Sequence, residues 1–91
     1  MSTQEQIQEA DLTENQVGDL HEIVLHNDDV NTFEHVTAVL MKVCKHSHEQ
    51  AEQCTLIIHY KGKCAVKKGT RPELKPLCEA ILDEGIQAAI L

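Results

Sequence analysis

Leu25-His26-Asn27-Asp28-Asp29-Val30-Asn31-Thr32-Phe33-Glu34 joins an apolar run, Ile23-Val24-Leu25, to a strongly periodic segment. A strand-to-helix turn needs one good cap. This one carries an imidazole, an amide and two carboxylates in four consecutive residues, His26 to Asp29. Two readings account for the surplus. In the first, Asn31 caps the helix through its side-chain oxygen, and Glu34 closes a capping-box-like pair three residues on. Asp28 and Asp29 are then turn formers near the positive end of the helix dipole. In the second, Asn27 and Asp29 are free acceptors aimed at a cation. Spacing alone leaves both readings open.

Working outward, residues 21–26 predict a strand, rich in Ile and Val. Residues 32–46 predict a helix, because Phe33, Val36, Val39, Leu40, Val43 and Cys44 recur at three and four and form one apolar stripe. Ser47, with Gln50 three residues later, predicts the start of a second helix over 48–60, stopping near Gly62. Thr55-Leu56-Ile57-Ile58 is also a competent strand, because Thr55, Ile57 and Ile58 are β-branched, and pattern does not decide between the two. Lys63 to Lys68 reads as an edge strand guarded by lysines. Thr70 and Glu73 offer another capping box, and Leu74, Leu77, Cys78, Ile81 and Leu82 give a third amphipathic helix ended by Gly85. Pro76 removes a hydrogen bond one turn in, which moves the expected start toward Glu73. Residues 86–91 close the chain as a third strand. The order β-α-α-β-α-β predicts an α+β fold, a small sandwich of a three-stranded sheet packed on helices.

Length and charge narrow the function. With 91 residues and 42% apolar content, one domain with a modest core is expected. No apolar run reaches a membrane span, and no export signal is visible, so the chain reads as soluble and cytoplasmic. The net charge of −7 is uneven. Residues 1–20 hold Glu5, Glu9, Asp11, Glu14 and Asp19 with no Lys or Arg, and read as a flexible acidic extension. The domain proper is 21–91. No basic patch stands out, so nucleic acid is not an expected partner. Cys44, Cys54, Cys64 and Cys78 lack zinc-ribbon or redox spacing and read as free thiols. Cys44, His46 and His48 could ligate a metal only with a fourth ligand, so no metal or cofactor is expected, and a small metal-binding protein is the alternative reading. An enzyme is not expected: Cys54 precedes His59 by five residues, in poor helical register, and no oxyanion-type loop is evident.

The second informative stretch is Ile57-Ile58-His59-Tyr60-Lys61-Gly62-Lys63. HNDD before a first helix, then IIHYKGK at the end of a second, resembles the ClpS family of adaptors for the Clp ATP-dependent proteases. The resemblance covers residues 22–91. It implies a monomeric N-degron adaptor that binds substrate proteins by their N-terminal residue and hands them to the N-terminal domain of a Clp-family AAA+ unfoldase. By position, the α-amine ligands implied are Asn27, Asp29 and His59. The implied side-chain pocket comprises Asn31, Phe33, Val36, Val39, Thr55 and Ile58, with Asp28 and Leu40 nearby. The sequence departs from the family where Asn31-Thr32 replaces Thr-Pro, and where Phe33 and Thr55 replace Met. Residues 67–77, in the region the family uses to dock its unfoldase, match poorly.

The chemistry of that set is coherent. An α-ammonium offers three N–H donors and one positive charge. A carboxylate, an amide oxygen and a neutral imidazole nitrogen supply three acceptors, one of them anionic.

Overall fold

The computed structural model describes residues 19–91, so nearly all of the acidic extension lies outside the described residues. The elements are β1 (His21–His26), α1 (Phe33–Val43), α2 (His48–Lys61), β2 (Lys63–Gly69), α3 (Arg71–Asp83) and β3 (Ala88–Ile90). They form the α+β order expected. The sheet runs β2-β1-β3 and is antiparallel throughout. Ile23 pairs with Lys67 and Val24 with Ala65, so Val66 is the extra residue of a bulge.

The α1 stripe buries as its periodicity requires: Val36, Val39, Leu40 and the capping Cys44 enter the core. They meet Ile23 and Leu25 of β1, Ala51 and Ile58 of α2, and Leu74, Cys78 and Ile81 of α3. Each well-buried aliphatic side chain contributes ~1.5–3 kcal/mol. Between α1 and α2 the contact is also polar. Thr37 and Thr55 hydroxyls lie 3.0 Å apart in the buried interface, and Thr55 donates to the Ala51 carbonyl at 2.8 Å. Thr55 lies inside α2, so the strand alternative does not form.

Several boundaries differ from expectation. The cap of α1 is Thr32, whose hydroxyl accepts the His35 N–H at 3.1 Å. Asn31 is not the cap, because its side chain is engaged elsewhere. The helix ends at Val43, short of residue 46, because Lys45 turns left-handed at φ 61°. His46 then tucks back into the core, its Nε2–H donating to the Val66 carbonyl at 2.7 Å. The third helix begins at Arg71, earlier than Glu73. The Thr70 capping box forms as expected, and Pro72 sits in the first turn, where no N–H is needed. Pro76 is carried inside the helix. Finally, the last strand shortens to Ala88–Ile90.

The loop after β1 is built on one carboxylate. Asp28 Oδ1 accepts the Val30 and Asn31 backbone N–H groups at 2.9 and 2.8 Å. Its Oδ2 accepts the Asn31 carboxamide at 2.8 Å. These bonds, led by the Asn31 backbone N–H, hold the Asp28 carboxyl below the ordinary carboxylate value.

Two expectations follow. Leu40 is fully buried, and Leu40→Ala should cost about 2–5 kcal/mol in urea unfolding. A loss under ~1 kcal/mol would contradict its place in the core. A carboxylate with a depressed folded pKa contributes fully above its unfolded value, ~3.9, and that contribution is lost as pH falls through the folded value. The acid-side fall in stability should therefore be shallower in Asp28→Asn. Parallel profiles for the two proteins would remove Asp28 from the loop's stability.

Candidate functional site

Backbone pairing brings the two informative stretches together. His26 pairs with Lys63 at the end of the β1–β2 ladder. One residue on, the Asn27 N–H donates to the Gly62 carbonyl at 2.8 Å. Gly62 is the left-handed cap of α2, at φ 91°, with its own N–H on the Ile58 carbonyl. His59 stands three residues before that cap. The start of the β1–α1 loop and the last turn of α2 are therefore neighbours because two strand ends and one helix end meet there.

A cavity of about 350 Å³ opens at this junction, lined by Asn27, Asp28, Asp29, Asn31, Thr32, Phe33, Val36, Thr55, Ile58 and His59. Its size is at the small end of ligand pockets, ~300–1,000 Å³. It suits one amino-acid side chain, with Phe33, Val36, Thr55 and Ile58 giving it an apolar lining. Polar groups of the loop and of His59 complete the wall.

The acceptors differ in what they already hold. Asp28 is committed to the loop by three bonds. Among the described residues, no hydrogen bond engages the Asn27 carboxamide, the Asp29 carboxylate or the His59 ring. All three residues are exposed. The Tyr60 ring packs edge-on to His59, with centroids 5.2 Å apart. The cavity thus presents an amide oxygen, an anion and an imidazole with capacity to spare, beside apolar walls.

Of the residues singled out by sequence, Asn27, Asp28, Asp29, Asn31, Phe33, Val36, Thr55, Ile58 and His59 share this cavity. Val39 and Leu40 do not reach it; at 2% and 0% exposure they lie in the core. Thr32 lines the cavity and was not anticipated. Its signal was weak, because Thr32 is followed three residues later by His35, whereas Asn31 is followed by Glu34, the better capping pattern.

The metal alternative is not supported. Among the described residues, no group of three His, Cys, Asp or Glu side chains could hold a metal ion. Cys44 and His46 are buried, His46 Nε2 is spent on Val66, and His48 is exposed at the start of α2. The thiols are not poised as nucleophiles either. Burial raises those of Cys44, Cys54 and Cys78, and lifts Cys64 to about 11. Among the described residues, no helix is long and apolar enough to cross a membrane.

Comparison with known proteins points to one family. Among solved structures, Agrobacterium tumefaciens ClpS2, determined bound to L-phenylalaninamide, superposes with a TM-score of 0.73 over 79% of this chain and 94% of that one. At 24% identity that likeness bears on the fold. A ClpS adapter protein of Streptomyces avermitilis is 33% identical over 67 residues, 74% of this chain and 64% of its own length. One from Thermosynechococcus vestitus is 33% identical over 72 residues, 78% of this chain and 77% of its own. Residues 16–88 match the model of the ATP-dependent Clp protease adaptor protein ClpS. This chain belongs to the ClpS family.

Proposed function

We propose that this chain is an N-degron adaptor. It binds a protein or peptide through its free N-terminal α-amine and an apolar first side chain, and delivers it to a Clp-family AAA+ unfoldase. The observation that carries the reading is the pairing of three uncommitted acceptors, Asn27, Asp29 and His59, with a cavity sized for one side chain. Family membership supports the delivery role. The Agrobacterium relative's ligand, L-phenylalaninamide, has the chemistry in question: a free α-amine beside an apolar side chain.

In this reading the Asp29 carboxylate neutralises the ammonium, and the Asn27 oxygen and a bare His59 nitrogen accept its remaining protons. Asp28 shapes the loop and does not touch the amine. Bonds to a charged group contribute ~1.5–3 kcal/mol each, and burying an aliphatic side chain adds a similar amount. Less the cost of ordering, the sum corresponds to about micromolar affinity, ~8 kcal/mol. Such affinity suits a carrier that must release its cargo. The adaptor itself performs no bond-breaking step. The acidic residues 1–18 serve delivery and contribute nothing to peptide affinity.

Fluorescence anisotropy with Leu-initiated peptides tests the reading. Acetylating the peptide's N-terminus removes the charge and two donors, so binding should be nearly abolished. Asp29→Ala should weaken binding by about 10- to 100-fold. Equal affinity for free and acetylated peptides would refute amine recognition. Phe33 forms one wall of the cavity, so Phe33→Ala should enlarge it and broaden the accepted first residues toward bulkier or β-branched ones. An unaltered ranking of first residues would remove Phe33 from specificity.

A further inference from the structure

Asn31 has more work than a loop residue needs. Its carboxamide nitrogen carries two protons, and both are used. One goes to Asp28 Oδ2 at 2.8 Å, the other to the Gly85 carbonyl at 2.9 Å, 54 residues away. The two acceptors belong to different parts of the chain. Asp28 is in the acceptor loop; Gly85 is in the turn between α3 and β3, at φ 85°.

The far side of this bridge is a helix end closed by its own backbone: the Gly85 N–H donates to the Leu82 carbonyl at 2.9 Å and the Ile86 N–H to the Ile81 carbonyl at 3.4 Å. The last turn of α3 has no basic residue. The side chains that reach this end come from α1 and the loop before it. His35 of α1 donates from Nε2 to the Glu84 carbonyl at 2.9 Å, and Lys42 pairs with the Glu84 carboxylate at 2.7 Å. Asn31 is the member of this set that also holds the acceptor loop. Asp29 lies between Asp28 and Val30, and the Asp28 carboxylate already ties the Val30 and Asn31 amides. Fixing Asp28 to a third body therefore fixes the backbone that aims Asp29.

We propose that Asn31 is a positioning residue: its carboxamide clamps the Asp28 loop to the α3–β3 turn at Gly85 and so holds Asp29 in the direction that meets the ligand's amine. The inference rests on the amine-binding reading of the site and adds to it a residue that acts through Asp28 and Asp29. It also makes the acceptor loop and the α3–β3 turn one unit, so that disturbing either disturbs both.

The test has a ligand-free arm and a binding arm. In hydrogen exchange on the free protein, Asn31→Ala should speed exchange at the Val30 amide and at the Gly85–Ile86 segment, while the buried Leu40 amide keeps its protection. Unchanged exchange at Val30 and at Gly85–Ile86 would overturn the clamp whatever the ligand proves to be. In the binding arm, Asn31→Ala should weaken a Leu-initiated peptide about tenfold. The penalty should shrink to under about threefold in the Asp29→Ala background, where no carboxylate remains to be aimed. Equal penalties in both backgrounds would mean that Asn31 does not act through Asp29. The isosteric Asn31→Asp keeps the shape but opposes two carboxylates and removes both donors, so it should bind more weakly than Asn31→Ala at pH 7. Tighter binding by Asn31→Asp would also overturn the proposal. Absence of peptide binding by the unmutated protein would instead sink the amine-binding reading, leaving the exchange result to decide the clamp.

Discussion

A single backbone hydrogen bond, from the Asn27 N–H to the Gly62 carbonyl, joins the two halves of the site. Everything that follows in the fold makes that bond possible. The β1–β2 ladder brings His26 to Lys63, and Gly62, left-handed at φ 91°, lets α2 stop and reverse into β2 within one residue. A side chain at that position would oppose the backbone conformation, although the space around it is open. With the reversal in place, the last turn of α2 faces the start of the β1–α1 loop. His59 and Asn27 then share a cavity although 31 residues separate them.

The loop divides its labour between neighbouring carboxylates of the same type. Asp28 spends its oxygens on the Val30 and Asn31 backbone and the Asn31 carboxamide, which lowers its pKa and fixes the turn. Asp29, next in sequence, is engaged by no hydrogen bond among the described residues. One acid builds the turn and the other lines the cavity with its oxygens uncommitted among the described residues. A free carboxylate held by a rigid neighbour needs less ordering when a ligand arrives, which is the usual route from geometry to affinity.

Much of this was legible in the sequence. The apolar stripe of α1, the Ser47 and Thr70 caps and the stop at Gly62 follow from patterns whose physical causes are local. The misreadings have both local and distant causes. Asn31 and Thr32 are both good caps, and Glu34 favoured Asn31; what engages the Asn31 carboxamide instead is Asp28, three residues before it, and Gly85, 54 residues away, and no pattern near Asn31 could reveal the second. Lys45 ends α1 in a left-handed conformation that Gly or Asn would have signalled and Lys does not. The run Thr55 to Ile58 suits either period, and its place in α2, with Thr55 and Ile58 buried, is what decides for the helix. The motif residues that line the cavity were readable, but its depth was not. Val39 and Leu40 share the stripe of Val36, yet only Val36 reaches the cavity wall, because that depends on how α1 is rotated against the sheet.

The central claim is that three acceptors from two distant stretches converge on one ammonium beside a pocket for one side chain. A crystal structure of this protein with a Leu-initiated peptide tests it most directly. The account predicts the peptide's α-nitrogen within hydrogen-bond distance of the Asn27 carboxamide oxygen, the Asp29 carboxylate and a His59 ring nitrogen, with the leucine side chain against Phe33, Val36 and Ile58. A peptide bound with its amine in solvent, or held by Asp28 in place of Asp29, would contradict it.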